Sequence, residues 1–555
     1  MSKFIYQIFI LFLFTSGLTY SQWINTYNGQ ANSDDRGHGI VVDASDNIYT
    51  VGYTTNDTTG IDIIILKYTN TGEPIWQAVY SGTGNYTDRA HGIVVDNSGN
   101  VYVTGYTTST SGNINYLTLK YNSNGALQWA KTFNGSGNQT DKAWGIVVDD
   151  NSNCFITGTS KSSSSGTDIV TLKYNSSGNV VWTKTYDAPP HKDEEAVKIA
   201  IDGNNNLYIA GYGEYSSGHH DFLLLKYSHS GSFQWVKNYN GSNGGFDRAW
   251  GIVIDNEDYI YITGESEGSN DKFDIVTIKY NYSGTQKWLY RFTETENEDD
   301  KPYGIVVDEI TGSVFVTGST ETNNNGMDYL TLRLNKSTGA LGWAKIFNGG
   351  GNDNDIPYAL TTTKNGQNPY IIVTGTVKQY SSGSDDIAII VYNAEGILRN
   401  VNVYGGTAEY DDGAFGITVD NNDNYFIAGF VSNTSAGSGA SAPNYDIVTV
   451  KHERINPVGI ITPLVNVPGN YYLSQNYPNP FNPETIISFG IPENSNVNIS
   501  VYDITGKFIQ NLVNSNLSRG SYNVSFNGNS LSSGIYIYRI TAGRFTETKT
   551  MILIK

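Results

Sequence analysis

Short apolar runs alternate with polar turn clusters along most of the chain. Runs such as Gly92-Ile-Val-Val-Asp96, Val101-Tyr-Val-Thr-Gly105 and Tyr116-Leu-Thr-Leu-Lys-Tyr121 are β-branched or aromatic and are bounded by Gly, Asn, Asp or Ser. This pattern predicts short strands joined by tight turns. A further run, Trp-x-x-x-Tyr/Phe, as in Trp129-Ala-Lys-Thr-Phe133, opens each set. The tryptophans set the period: Trp23, Trp76, Trp129, Trp182, Trp235 and Trp288 stand 53 residues apart, Trp343 follows after 55, and Asn400 takes the equivalent place after 57 more. Self-similarity at such a period marks a repeat architecture.

Four strands per unit, repeated, is the pattern of a β-propeller, with a solenoid as the alternative. The ends of the array favour the ring. The set opens with a lone Trp strand (Trp23–Tyr27), and its last unit stops after a fourth-segment strand (Ile447–His452). Pairing those two would remove both exposed sheet edges. The second segments start at Gly39, Gly92, Gly145, Lys198, Gly251, Gly304, Ala359 and Gly416, which predicts an eight-bladed propeller closed by its N-terminal strand. Over Trp23 to His452 the repeat resembles the SBBP repeats, β-propeller repeats of bacterial surface and secreted proteins. That family implies a fold and no single activity; its name refers to seven blades, whereas this chain presents eight.

Recurring positions are read first as structure. The Gly that closes the third segment (Gly52, Gly105, Gly158, Gly211, Gly264, Gly318, Gly375, Gly429) marks a bulge or close backbone approach. The aromatic three residues before it (Tyr49, Tyr102, Phe155, Tyr208, Tyr261, Phe315, Phe426) is assigned to packing between sheets. An acidic ring, Asp35, Asp88, Asp141, Glu194, Asp247, Asp300, Asp355 and Asp412, is expected to cap turns and to pair with the fourth-segment cations Lys67, Lys120, Lys173, Lys226, Lys279, Arg333 and Lys451. Its repetition argues against catalysis, which needs a few distinct residues. The turns Asp202-Gly-Asn-Asn-Asn206 and Asp420-Asn-Asn-Asp-Asn424 faintly resemble calcium loops but lack the spaced ligand set, so Asx-turns explain them better. Calcium is kept as a minor alternative to no cofactor.

The connections from first to second segment (Asn134–Thr140) and from third to fourth (Thr107–Asn113) read as the long ones. Both leave the same face, where binding residues tend to lie. Just before each second-segment strand stand His38, His91, Trp144, Val197, Trp250, Tyr303, Tyr358 and Phe415. Seven of these eight are aromatic or His, a candidate ligand-binding ring at the channel mouth; packing between blade tips is the other reading.

Composition then narrows function. Asp and Glu outnumber Lys and Arg, 53 to 34, and the net charge of −19 repels phosphate, which disfavours a nucleic-acid partner. The single Cys154 rules out an intrachain disulfide and sits where a buried Val recurs. No serine-hydrolase elbow, zinc helix or phosphate loop is present, and the seven His are scattered. Residues 1–21 read as a secretory signal peptide, with Thr19 and Ser21 before the cleavage point and an apolar run too short to span a bilayer.

Residues 453–471, with Pro457, Pro463 and Pro468, read as a linker, and 472–555 as a small Ig-like β-sandwich. The tail, through Tyr477-Pro478-Asn479-Pro480-Phe481, Gly506, Gly534, Lys549 and Lys555, resembles the type A C-terminal sorting domain of the type IX secretion system. That resemblance implies export through the periplasm, secretion or outer-surface attachment, and the secretion machinery as partner. The function expected is a secreted or cell-surface binding or adhesion propeller for carbohydrate or protein. The alternatives are a polysaccharide hydrolase or lyase on the same scaffold, or a structural surface-layer component.

Overall fold

A computed structural model describes residues 22–555 except 164–165, 217, 242–243, 269–271, 295–297, 323–325, 350–352, 367, 379–383, 407–409, 434–443, 454–461, 465–469, 494, 518–519 and 529–530. The signal peptide and most of the linker expected from the sequence lie outside the described residues. The described elements are all strands, arranged in ten four-stranded sheets. Contact density divides the chain into two units, Met1–Ala388 with Val403–Glu453, and Ile389–Asn402 with Arg454–Lys555. The seventh sheet, from Ile356, straddles this division.

In the first unit each sheet takes the second, third and fourth segments of one repeat and the Trp segment of the next, all antiparallel. The first sheet, for example, is Arg36–Val42, Ile48–Asn56, Gly60–Tyr68 and Pro74–Tyr80 in that spatial order. The chain ends complete the last sheet: Trp23–Tyr27 pairs with Asn444–His452, Trp23 opposite Lys451 and Tyr27 opposite Ile447. The second-segment strands, called bulged strands below, pack on one another in succession, and the eighth, Gly413–Val419, packs on the first, Arg36–Val42. A Cβ at Gly145 would lie 3.0 Å from Ile199 Cγ2 of the next sheet, so the small residue admits the neighbour's isoleucine.

Two boundaries differ from expectation. The bulged strands begin three to four residues earlier than the Gly positions, at Asp88 and Asp141 for instance, because a bulge lets the ladder continue past the glycine. In the second repeat the third-to-fourth connection, expected to be long, is short: its strands end at Thr108 and resume at Ile114, a span matched by the turn between Val95 and Val101, whereas in the eighth the strands end at Asn433 and resume at Asn444. The Ser109 N–H donates to Asn113 O, extending the hairpin into the expected loop.

In five sheets the Trp strand stitches one sheet to the next. Trp76 Nε1 donates to Ser123 O at 3.0 Å, and Lys67, opposite Trp76 in the ladder, donates from Nζ to the same oxygen at 3.1 Å. The pair recurs as Trp129 and Lys120 on Ser176 O, as Trp288 and Lys279 on Lys336 O, and across the chain ends as Trp23 and Lys451 on Asn70 O. The turn gripped this way carries a glycine at positive φ flat against the indole: Gly125 has φ +80°, and a Cβ there would lie 2.7 Å from Trp76 Cδ2. The Lys also lies over the buried aromatic of its own sheet, Lys67 Nζ 4.8 Å and Lys120 Nζ 4.9 Å from the ring centroids of Tyr49 and Tyr102.

In the second unit, sheets Thr462–Leu464/Gly520–Asn527/Glu484–Ile491/Tyr472–Leu473 and Phe508–Leu517/Ser495–Asp503/Gly534–Ala542/Phe545–Leu553 share one apolar core that includes Ile487, Phe489, Val501, Val524 and Tyr538. The Tyr477–Phe481 motif runs beside the last strand. Phe481 N–H donates to Ile552 O and Ile554 N–H to Phe481 O, both at 2.9 Å, and the Phe481 ring is buried while Tyr477 is 81% exposed.

Trp76→Ala is expected to cost about 3 kcal/mol of unfolding free energy. Gly125→Ala, which keeps the indole but puts a methyl group against it at positive φ, is expected to cost at least about 1 kcal/mol. Urea denaturation measures both, and unchanged midpoints would show that the clamp is incidental to stability.

Candidate functional site

In each bulged strand the register against the third-segment strand slips by one residue. The unpaired residues are His38, His91, Trp144, Val197, Trp250, Tyr303, Tyr358 and Phe415. The candidate ring is therefore a ring of β-bulge residues, and bulges re-aim a side chain away from the ladder. Across from each bulge sits the recurring third-segment glycine. A Cβ at Gly105 would lie 1.9 Å from Arg89 O, and one at Gly158 2.1 Å from Lys142 O. Only glycine leaves room for the bulged backbone. The glycine thus serves the neighbouring strand, and through it the ring.

All eight bulge residues are half-buried. His38 stacks on Phe415 with centroids 5.2 Å apart, Phe415 meets Tyr358 at 4.9 Å, and Tyr358 meets Tyr303 at 5.8 Å. His91 and Trp144 lie parallel, 4.1 Å apart with 8° between planes. Trp250 stands apart from both groups, against Tyr212 at 6.0 Å. His91 Nδ1 donates to Ala143 O at 2.9 Å. Burial first, then neighbouring cations, lowers the pKa of His38 and of His91 to about 4, so both rings are neutral at pH 7.

A set of cations beside this ring was missed in the sequence. Arg36, Arg89, Lys142, Arg248 and Lys301 each stand two residues before a bulge residue, directly after an acidic-ring member. The recurring Asp-Arg or Asp-Lys dipeptide was the available signal. Several lie over aromatic faces, Arg36 over Phe430 at 4.3 Å and Arg89 over Tyr53 at 4.5 Å.

The acidic ring is buried throughout: Asp35, Asp88, Asp141, Glu194, Asp247, Asp300, Asp355 and Asp412 are each at most 2% exposed. Seven of them cap the preceding loop, accepting the backbone N–H six residues earlier, as Asp141 does from Gly135 at 2.8 Å and Asp300 from Glu294 at 3.2 Å. The pairing expected with the fourth-segment cations is not made. Lys67, Lys120, Lys226, Lys279 and Lys451 reach carbonyls of the next sheet instead, and Arg333 Nε donates to Ser313 Oγ. The acids and the lysines sit at opposite ends of the strands, too far apart for an ion pair. A second carboxylate acts on the ring acid at seven junctions: Asp62 with Asp88, Asp168 with Glu194, Asp221 with Asp247, Asp274 with Asp300, Asp328 with Asp355, Asp386 with Asp412 and Asp446 with Asp35. Burial, with this repulsion added, raises the carboxyl pKa of Asp300 to about 7 and of Asp355 to about 6.

One junction departs from the rest. Glu194 is a methylene longer than its counterparts, and Gly213 stands where other sheets place Thr54, Ser160 or Ser266; a Cβ there would lie 2.9 Å from Glu194 Cγ. The longer side chain fills the space of the missing hydroxyl. Asp168, Asp187 and Glu194 then bring ligand atoms within 4.8 Å of one another, an oxygen set suited to a hard divalent cation. The Asp-rich turns are different: Asp202 accepts from the Asn204 and Asn206 N–H groups, from Asn206 Nδ2 and from Tyr208 OH, so donors already occupy both of its oxygens. Cys154 is fully buried, and burial pushes its thiol up to about 12.

Residues 79–113 match the family described as Beta-propeller repeat, and residues 475–555 match the Secretion system C-terminal sorting domain. The chain thus carries a β-propeller repeat within its first unit and a sorting domain of the type IX secretion system in its second. Such a domain implies a secreted or outer-surface destination and a meeting with the secretion machinery. No helix among the described residues is long and apolar enough to cross a membrane. No curated protein matches the chain. Among solved structures, the quinohemoprotein alcohol dehydrogenase of Comamonas testosteroni is similar at 10% identity and a TM-score of 0.45, over 81% of this chain and 79% of that one. The WD40 domain of SCAP from fission yeast is similar at 10% identity and a TM-score of 0.40, over 79% of this chain and 97% of that one.

The raised carboxyl of Asp300 gives a signed pH effect. A group with its folded pKa above its unfolded one binds the extra proton in the native state, so its contribution is full below about pH 4 and is lost as pH rises through about 7. Asp300→Asn is therefore expected to flatten the pH dependence of unfolding free energy between pH 5 and 7 by about 1.4 kcal/mol per unit. Denaturation of both proteins across that range measures it; parallel curves would refute the assignment.

Proposed function

We propose that the protein is a secreted or cell-surface binding and adhesion module. Its eight sheets form an eight-bladed β-propeller, closed by the pairing of Trp23–Tyr27 with the last fourth-segment strand, and its tail is an Ig-like β-sandwich read by the type IX machinery. The ligand, carbohydrate or protein, sits against the bulge ring at the mouth of the central channel. The observation that carries this reading is the placement of seven aromatic or His side chains at eight equivalent bulges. A bulge is a device for aiming a side chain, and a propeller needs no aromatic there in order to close. Half-buried rings next to cations offer flat apolar faces with polar neighbours, the surface that sugars and peptides stack on. The acidic ring is buried, and seven of its members are committed to loop capping.

A glycan array with the full chain is expected to show binding without release of product, and Trp144→Ala with Trp250→Ala should abolish it while leaving the circular dichroism spectrum unchanged. Oligosaccharide release would point to catalysis; binding that survives both substitutions would place the ligand elsewhere. Deleting 472–555 is expected to retain the protein in the periplasm, and its recovery in the medium or on the cell surface would overturn the sorting role.

A further inference from the structure

The cations beside the bulge ring are unevenly matched. Arg36 is paired with Asp34 at 2.8 Å and Arg248 with Glu265 at 3.4 Å, and Lys301 acts on the same Glu265. In the second to fourth sheets the balance changes. Arg89 and Lys142, two residues before His91 and Trp144, form none of the ion pairs found among the described residues, and Arg89 Nε is buried without a hydrogen-bond partner. They are held in place by rings, Arg89 over Tyr53 and Lys142 over Tyr106 at 5.4 Å.

The third cation is Lys198. It follows Val197, the one bulge residue that is neither aromatic nor His, at a position that holds Gly in six sheets and Ala359 in the other. The glycines at this position face the next sheet, as Gly145 faces Ile199 and Gly304 faces Leu360. Lys198 is exposed, yet desolvation lowers its pKa. Like Arg89 and Lys142, it forms none of the ion pairs found among the described residues. Arg89, Lys142 and Lys198 also all act on the same imidazole, that of His91. Three cations outside the ion pairs found among the described residues thus lie close enough to act on the His91 ring of the parallel His91–Trp144 pair, in a protein whose net charge is −19.

We infer that Arg89, Lys142, Lys198 and the stacked His91–Trp144 rings form a subsite for an anionic sugar residue. This rests on the binding function proposed above and names its ligand class. The pyranose face lies against the ring pair and its carboxylate or sulfate group among the three cations. The overall negative charge repels polyanions elsewhere on the surface, which confines such a ligand to this sector. An acidic peptide would engage the cations but has no flat face for the rings.

The test is isothermal titration calorimetry of the full chain with four probes: hexagalacturonic acid, its neutral methyl ester, a sulfated hexasaccharide and hexaglutamate. An acidic sugar is expected to bind at least about tenfold more tightly than the methyl ester, a difference of about 1.4 kcal/mol, and to weaken with added salt. Which acidic sugar binds distinguishes uronate from sulfate. Lys198→Gly, which installs the residue found in six other sheets, and Lys142→Gln should each weaken that binding about tenfold, with thermal unfolding unchanged. Equal affinity for acid and methyl ester would overturn this inference and leave the binding function standing. So would full affinity in Lys198→Gly, or hexaglutamate binding as tightly as the sugars. Binding of no saccharide here or on the glycan array would overturn both.

Discussion

One backbone carbonyl, shared by the same two donors in four sheets, bears much of the first unit's order. In the turn of the next sheet, Ser123 O and its equivalents accept both an indole N–H and an ammonium group, from a Trp and a Lys that face each other across two strands. A hydrogen bond from a charged donor is worth about 1.5–3 kcal/mol, more than a neutral one. Three surrounding features follow from it. The turn needs glycine because the indole lies flat beneath it. The Lys needs an aromatic below it because it is nearly buried. The two chain ends meet because Trp23 and Lys451, 428 positions apart, must grip Asn70 O as Trp76 and Lys67 grip Ser123 O.

The bulge is the second constraint, and it links architecture to surface chemistry. The third-segment glycine leaves room for the carbonyl before the bulge, the bulge turns out one residue, and that residue is aromatic or His in seven sheets. The fourth sheet breaks several rules together: Val197 replaces the ring, Lys198 the glycine, Glu195 the usual cation, Glu194 the Asp, and Gly213 the hydroxyl. Repetition builds the body. Departures from it, clustered in one sheet, mark where this chain differs from its own repeat.

Much of the fold was legible because its determinants are local and repeated. The Trp spacing set the unit, and the turn chemistry bounded the strands. The bulge residues were found as a recurrent aromatic position, and the glycines as sites of close approach. Their connection was not legible, since the two residues lie on different strands and only the ladder shows that one slips past the other. The pairing expected between the acidic ring and the fourth-segment lysines failed for a related reason. Periodicity shows that two charges recur together but not at which end of the strand each lies, so it suggests an acid as the partner of Lys67, whose partner is a carbonyl of the next sheet.

By itself the sequence determined the all-β class, the repeat, the turn positions and the tail with its address, because these depend on periods and motifs written along the chain. Tertiary structure alone decided which groups face each other across sheets. It showed that the acids gather in buried like-charged pairs, that the Trp and Lys share an acceptor, and that three cations acting on His91 stand outside the ion pairs found among the described residues. Most of those relations join residues half a repeat to two repeats apart, and charge and hydrogen-bond balance is settled only where such residues come together.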